Sequence, residues 1–546
     1  MLNHFRLFVL SFALFYGLPA NADTLIENIS GYTWANDQLI TFSAMRFDKA
    51  GQITGVYDAD EIPSDTGLKR IDGKGTTMLP GLIDAHGHVL SYGQAVSRVD
   101  LVGTTSRQQA VERIKTYVEK NPDQPWVLGR GWNQELWSDT SFPTSADLDD
   151  IETEQPIWMG RIDGHAAWAN LAAMKAAGID RNTPDPHGGR ILRDADGNAT
   201  GVFIDTAMDL VSEKIPAPTV QQDKRALQLA LQRLASLGLT SVHDAGIDIR
   251  TADLYKELAS EQQLPVRVYA MLSEAIYADF GPPLINEGDG FLAIQSVKSY
   301  LDGALGSRGA AMNSEYTDKP GDKGLLFKSQ RQFKKLLRQT SADGFQLNVH
   351  AIGDEANRIA LTGFAARGTH PKLRHRIEHA QVIRPKDIST FARLGIIASM
   401  QPTHATSDKN MAEDRIGADR MPGAYAWRSL LDAGITIAAG SDFPVEPAEP
   451  LFGIHAAVTR QDRDGNPPDG WYPEQSLSRA EALRIFTVDA AYAARQEKHL
   501  GSIEVGKRAD FVLLAQDIFT MPAGDIWKNR VIETWVNGVC IYRAAE

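Results

Sequence analysis

The chain has almost no cysteine. Cys540 is the single one among 546 residues, so no internal disulfide staples the fold and apolar burial must hold it. Cys540 has no catalytic pattern around it and reads as a packed residue of a terminal strand. Long apolar runs are missing beyond the N-terminus, which leaves no membrane span in the mature chain. There is no phosphate-binding glycine loop and no Gly-x-Ser-x-Gly elbow, so nucleotide chemistry and serine hydrolysis have little support. Positive charge is in deficit: 56 Lys and Arg face 69 Asp and Glu, a formal −13. An acidic surface argues against nucleic acid and anionic membrane as partners. Heptads, solenoid repeats and low-complexity segments are absent too.

What is present begins with a leader pattern. Arg6 precedes an apolar run of roughly a dozen residues (7–18), and Ala20-Asn21-Ala22 fits a small-x-small cleavage rule. Residues 1–22 are expected to be a cleaved signal peptide rather than an anchor helix, which needs about 20 apolar residues. Cleavage would start the mature chain at Asp23, take its charge to −14, and export it to the periplasm or the medium.

With 43% apolar and 23% charged residues, the rest is ordinary globular protein, long enough for a barrel and an accessory domain. Residues 23–78 alternate short apolar runs with Gly, Asp and Asn turns, as in Gln38-Leu39-Ile40-Thr41-Phe42. Residues 496–546 read the same way, with Asn537-Gly538 as a hairpin turn. The two ends are expected to form one small β-sandwich. Residues 79–495 carry the strand–helix rhythm of a parallel barrel. Candidate strands are 77–84, 240–243, 266–272, 296–301, 346–350, 376–379, 396–401 and 435–439, with helical patterns at 223–237 and 330–342 between them. Eight is the number a TIM barrel requires. The fold class is therefore α/β, a (β/α)8 barrel with a β-sandwich and a Trp-rich insertion at about 103–236. The insertion follows strand one, so it is expected over the barrel mouth.

The strongest local signal is Leu79-Pro80-Gly81-Leu82-Ile83-Asp84-Ala85-His86-Gly87-His88. Side chains alternate along a strand, so His86 and His88 share a face and form a natural metal clamp. Lys298, His350, His379 and Asp442 each fall at or just past the end of a different candidate strand. Barrel enzymes place catalytic groups on that face. The alternative for each histidine alone is a hydrogen-bonded core residue.

This constellation resembles the amidohydrolase superfamily. There, strand one gives His-x-His, strand four a lysine, strands five and six one histidine each, and strand eight an aspartate. Asn348-Val349-His350-Ala351-Ile352-Gly353-Asp354, Arg376-Ile377-Glu378-His379-Ala380-Gln381 and Gly440-Ser441-Asp442-Phe443-Pro444 are similar to one branch, that of N-substituted formamide deformylase and YtcJ-like proteins. The resemblance implies a metal-dependent hydrolase with His86, His88, Lys298, His350, His379 and Asp442 as ligands of one or two divalent ions. Zn²⁺ suits the donors best, though Mn, Co and Ni share them. It also implies that Lys298 is carboxylated to a carbamate bridging two ions; the alternative is a buried salt bridge to Asp302 or a neighbour. A metal lowers the pKa of bound water towards neutrality, and Asp442 would take that proton and return it to a leaving amine.

Further candidates for a small-molecule substrate are His243 on the second strand, His404 after the seventh, and Asp354, which would otherwise cap a helix. Asp163-Gly164-His165 with Trp132 and Trp168 would line the pocket from the insertion, against ordinary packing for the Trp residues. Arg308 would meet an anionic group or remain a loop residue. The expected reaction is hydrolysis of a C–N bond in an N-formyl or N-acyl amine. A lactone, ester or cyclic amide would suit the same site, and an exported metal-dependent binding protein is the non-enzyme alternative. The composition is compatible with a homo-oligomer.

Overall fold

The computed structural model describes residues 23–545 apart from 152, 163 and 366–370. The expected leader (1–22) and Asp163 lie outside the described residues.

Eight parallel strands form the centre. They are β1 (Leu82–Gly87), β2 (Leu239–Ile247), β3 (Arg267–Ser273), β4 (Leu292–Tyr300), β5 (Gln346–Ala351), β6 (Arg376–His379), β7 (Ile397–Met400) and β8 (Ile437–Ala439). They pair in chain order from β1 to β8. The barrel is nearly closed: no ladder joins β8 to β1, but the Asp442 N–H donates to the His86 carbonyl at 2.7 Å across the gap. β1, β5, β6, β7 and β8 are buried at every position. That is expected of parallel strands covered by helices on one side and filled by side chains on the other.

Helices cover the outside for local reasons. The pair α1 (Val89–Val96) and α2 (Val220–Ser236) packs closely enough that a Cβ on Gly93 would meet the Ala226 backbone. Thr219 and Gln222 form a capping box that starts α2. Ser329 and Gln332 do the same for α3 (Gln330–Ala342), whose Phe333, Leu336 and Leu337 face the core.

The first strand departs from expectation. Thr77–Pro80 does not belong to the barrel; it pairs antiparallel with Phe511–Leu514. The break falls at Pro80-Gly81, where the Gly81 N–H donates to the Asp510 carbonyl at 2.9 Å. The sequence shows one continuous apolar run there because both pieces are buried. The other seven barrel strands lie within a few residues of their predicted positions.

Both chain ends build two sheets. Six strands run in the order Val539–Arg543, Val531–Val536, Phe511–Leu514, Thr77–Pro80, Ser30–Ala35, Gln38–Phe42, and four run Ile53–Tyr57, Ala44–Phe47, Thr24–Glu27, Lys69–Asp72. Ile26, Phe47, Ile53, Met78, Phe511 and Trp535 share one apolar cluster. The Asn537-Gly538 turn has positive φ at both residues, 52° and 72°, as a tight hairpin requires. Cys540 is half-buried in that terminal hairpin.

The insertion folds as its own layer between α1 and α2. Its six-stranded sheet runs Gly189–Arg193, Ala199–Asp205, Ala166–Ala169, Ile157–Arg161, Val127–Trp132, Val99–Asp100. Separate apolar clusters, one around Trp132 and one around Trp158, flank it.

Candidate active site

Period-two alternation along β1 puts Asp84 and His86 on the barrel interior, and His88 follows where the strand yields to α1. Gly87 leaves room for Phe443, whose ring a Cβ there would strike. Gly440 is required for another reason: a Cβ would lie 2.5 Å from the His86 nitrogen. The chain can thus pass close to β1 and present Asp442. His350 is the last residue but one of β5, and His379 ends β6. His404 comes from α4 (Pro402–Asp408), the helix after β7.

These groups converge. Asp442 Oδ1 lies 3.1 Å from His88 Nε2 and 3.6 Å from His86 Nε2, and Oδ2 lies 3.7 Å from His404 Nε2. Ring centroids of His86 and His379 are 5.0 Å apart, and those of His350 and His379 are 4.5 Å apart. Lys298 Nζ donates to His86 Nε2 at 2.9 Å. All line one cleft of about 380 Å³.

A second ring of groups fixes how each imidazole points. His86 Nδ1 bonds Glu378 Oε2, His88 Nδ1 donates to the Ala245 carbonyl at 2.9 Å, and His379 Nδ1 donates to Gln401 Oε1 at 2.8 Å. With Nδ1 as donor, the Nε2 lone pair of each faces the cleft. His350 is reversed, its Nε2 facing Gly303 O at 3.4 Å and Asp302 Oδ1 at 3.5 Å, so Nδ1 is its free nitrogen. His379 and Asp442 hold φ of 73° and 61°. A non-glycine residue in that region costs of order 1–3 kcal/mol, so the surrounding fold imposes it.

Burial sets the charge states. It pushes His350 down to about 3, with Lys298 adding, and pushes His379 well below the usual range, with His350 adding. Burial lowers Lys298 against the pull of Glu378 and Asp442. For Asp442 burial would raise the pKa, but His88 with His86, His379 and His404 outweighs it and holds the carboxyl well below the carboxylate range. Glu378 behaves likewise and sits at about 2, because His86, Arg376 and Lys298 overcome its burial.

The donor set fits a divalent cation. Two triads, His86–His88–Asp442 and His379–His404–Asp442, each bring their ligand atoms within 4.8 Å of one another. Asp442 Oδ1 and His404 Nε2 are buried without a hydrogen-bond partner among the described residues. Buried polar atoms are rarely left so, and a shared cation satisfies both.

Residues 69–542 match the amidohydrolase family. The chain belongs to that family. It is 32% identical over 477 residues to the putative amidohydrolase YtcJ of Bacillus subtilis, covering 86% of this chain and 89% of that one. It is 28% identical over 494 residues to the N-substituted formamide deformylase of Arthrobacter pascens, with the same shares covered. In structure it is similar to an uncharacterized metal-dependent hydrolase from Pyrococcus furiosus, with a TM-score of 0.74 and 26% identity over 91% of this chain and 100% of that one.

Several residues singled out in this amidohydrolase lie elsewhere. Trp132 is fully buried in the insertion, its Nε1 donating to the Met159 carbonyl, and Trp168 packs beside it. His165 has a 76% exposed side chain and pairs with Asp205 at 2.8 Å. No residue of 103–236 is among those lining the cleft. The described residues of the insertion therefore do not line the cleft, contrary to expectation; their indoles are spent on the insertion's own apolar clusters. His243 faces inward but deeper, its Nδ1 3.1 Å from Arg376 and its ring against Tyr269. Burial, with Arg376, holds it neutral. Asp354 neither lines the cleft nor caps its helix; it accepts the Asn313 N–H at 2.7 Å. Arg308 is bidentate on Asp318. Asp302 does not pair with Lys298: its oxygens accept the N–H groups of Ala311, Ile352 and Gly353. Sequence reading missed Glu378 and Gln401, and it considered Asp302 only as a partner for Lys298. Only Glu378 had a signal, lying beside a ligand inside a quoted motif.

Proposed function

We propose that this metal-dependent amidohydrolase cleaves the C–N bond of a non-peptide amide, an N-formyl or N-acyl amine. The observation that carries the reading is Asp442. It is an ionised acceptor within 3.7 Å of three imidazoles, at the floor of a cleft. Amide cleavage needs a proton returned to nitrogen, because an amide anion is a poor leaving group. An ester asks less of its shuttle. The likeness to a formamide deformylase points the same way.

His86, His88 and Asp442 hold one ion in this reading. His350 and His379 would hold a second, to which Lys298, once carboxylated, would add an anionic ligand. Neutral Nζ adds to CO₂ and releases one proton, which the burial of Lys298 favours. A bound divalent ion, best Zn²⁺, supplies an acidified water and a polarised carbonyl. Asp442 receives the proton from the attacking water and delivers it to the departing amine. His404, with Nε2 3.7 Å from Asp442 Oδ2, would either complete the ligand set or donate to the substrate carbonyl. The terminal sheets and their shared core are read as the small β-sandwich. Export follows from the leader pattern at 1–22.

Elemental analysis paired with a screen of N-formyl, N-acyl, lactone and ester substrates tests the reading. One to two ions per chain are expected, with amide turnover lost in Asp442→Asn. Full activity in metal-free protein, or turnover confined to esters and lactones, would overturn it.

A further inference from the structure

Besides Asp442, the cleft is lined by two carboxylates and by no free cation. Glu446 and Asp408 line it beside Tyr300, Leu305, Ile352 and Val445. Histidines apart, Lys298 is the one basic side chain among the lining residues, and it is 1% exposed at the floor. Cations nearby are engaged elsewhere: Arg308 on Asp318, and Lys409 on Asp462 at 2.8 Å. Asp408 gives Oδ2 to Tyr425 Oη at 2.6 Å and to Gln381 Nε2 at 3.0 Å, and Oδ1 is left over. Glu446 has neither an ion pair nor a hydrogen bond among the described residues. It also borders a neighbouring cavity of about 120 Å³, where Arg463 lies 4.5 Å over the Phe452 ring instead of pairing with it.

Resting on the amide reading above, we infer that these two carboxylates receive a cationic end of the substrate. The substrate class is an amide whose far end is an amine, as in a mono-acylated diamine. A carboxylate confined in a cleft without a counter-charge gains a strong, charge-assisted hydrogen bond when an ammonium reaches it. Tyr300 gives little to such a cation, since its ring already packs against Lys298 Nζ at 5.1 Å and the His350 ring at 5.3 Å, so the two carboxylates carry the recognition. The −13 net charge of the chain favours the approach of cations. Divalent ions at the floor would repel an ammonium placed against them. The cation therefore belongs at the rim, separated from the scissile bond by an alkyl spacer along Leu305, Ile352 and Val445. A carboxylate tail would instead meet Glu446 and Asp408.

Hydroxamates test this independently of which bond is cleaved, because they chelate the metal centre. Three of equal length, ending in ammonium, methyl or carboxylate, are titrated calorimetrically into metal-loaded wild type and Glu446→Gln. The ammonium form is expected to bind about tenfold tighter than the methyl form, and the carboxylate form weaker than both. Glu446→Gln should erase most of the ammonium advantage and leave the methyl form unchanged, which also reports an intact site. Equal binding of all three, a preference for carboxylate, or a uniform loss in Glu446→Gln would overturn the inference. If esters rather than amides are turned over while the hydroxamate order holds, only the amide reading fails. If amides are turned over without that order, only the charge inference fails.

Discussion

Asp302 follows the candidate bridging lysine by four residues, yet it serves the backbone. Its Oδ1 accepts the Ile352 N–H at 3.0 Å, and Oδ2 accepts those of Ala311 and Gly353 at 2.8 Å each. The side chain is fully buried. These bonds tie the loop after β4, which supplies Ala304, Leu305 and Gly306 to the cleft, to the end of β5 beside His350. Asp302→Ala would strand three buried N–H groups. At about 1–3 kcal/mol for each such group, less what water and loop relaxation recover, the local cost is about 3–5 kcal/mol. Because 1.4 kcal/mol is a factor of ten, amide exchange over 303–325 and 350–354 should accelerate by about two to three and a half orders of magnitude. Hydrogen exchange read by mass spectrometry suits this better than a melting curve, since a chain with several layers need not unfold in two states. A double-mutant cycle with Lys298→Met should show coupling of no more than about 1 kcal/mol, because the two side chains share no bond and meet only through His350, 3.5 Å from Asp302 Oδ1. Unchanged exchange in Asp302→Ala, or coupling well beyond that value, would refute the assignment and revive a Lys298–Asp302 salt bridge.

Lys298→Ala should lower the metal content from two ions to one by elemental analysis; retention of both would refute the carbamate bridge. Glu378→Gln should weaken metal binding by about 10–100-fold, the range typical of a lost partner behind a ligand histidine, measured with a competing chelator. Trp132→Phe should cost the insertion about 1 kcal/mol for the lost bond to Met159 and leave KM unchanged; a raised KM would put it at the substrate. In metal-free protein, His350 sits at about 3 against an ordinary 6.5, so the folded chain binds fewer protons than the unfolded one. Its contribution is full above pH 6.5 and is lost as pH falls towards 3, by about 2 kcal/mol between pH 6.5 and 5. An NMR titration of the His350 ring in metal-free protein should show it still neutral between pH 6.5 and 5, and a midpoint inside that window would contradict the assignment.

The sequence by itself located the barrel strands, the first of them only in its second half. The strand–helix rhythm is a local signal, and together with the family resemblance it singled out His86, His88, Lys298, His350, His379 and Asp442 as candidate ligands, with Lys298 resting mostly on the resemblance. Tertiary structure alone decided what those ligands lean on. Glu378 meets His86 across 292 residues of chain, and no spacing rule links them. The Trp residues of the insertion could not be placed from composition, since an indole suits a substrate wall and a core equally well. Only the sheet around them shows that they turn inward. Pairing decided the split of the first apolar run as well. Thr77–Pro80 and β1 are equally apolar, but each is buried against different partners, and apolarity records burial without saying against what.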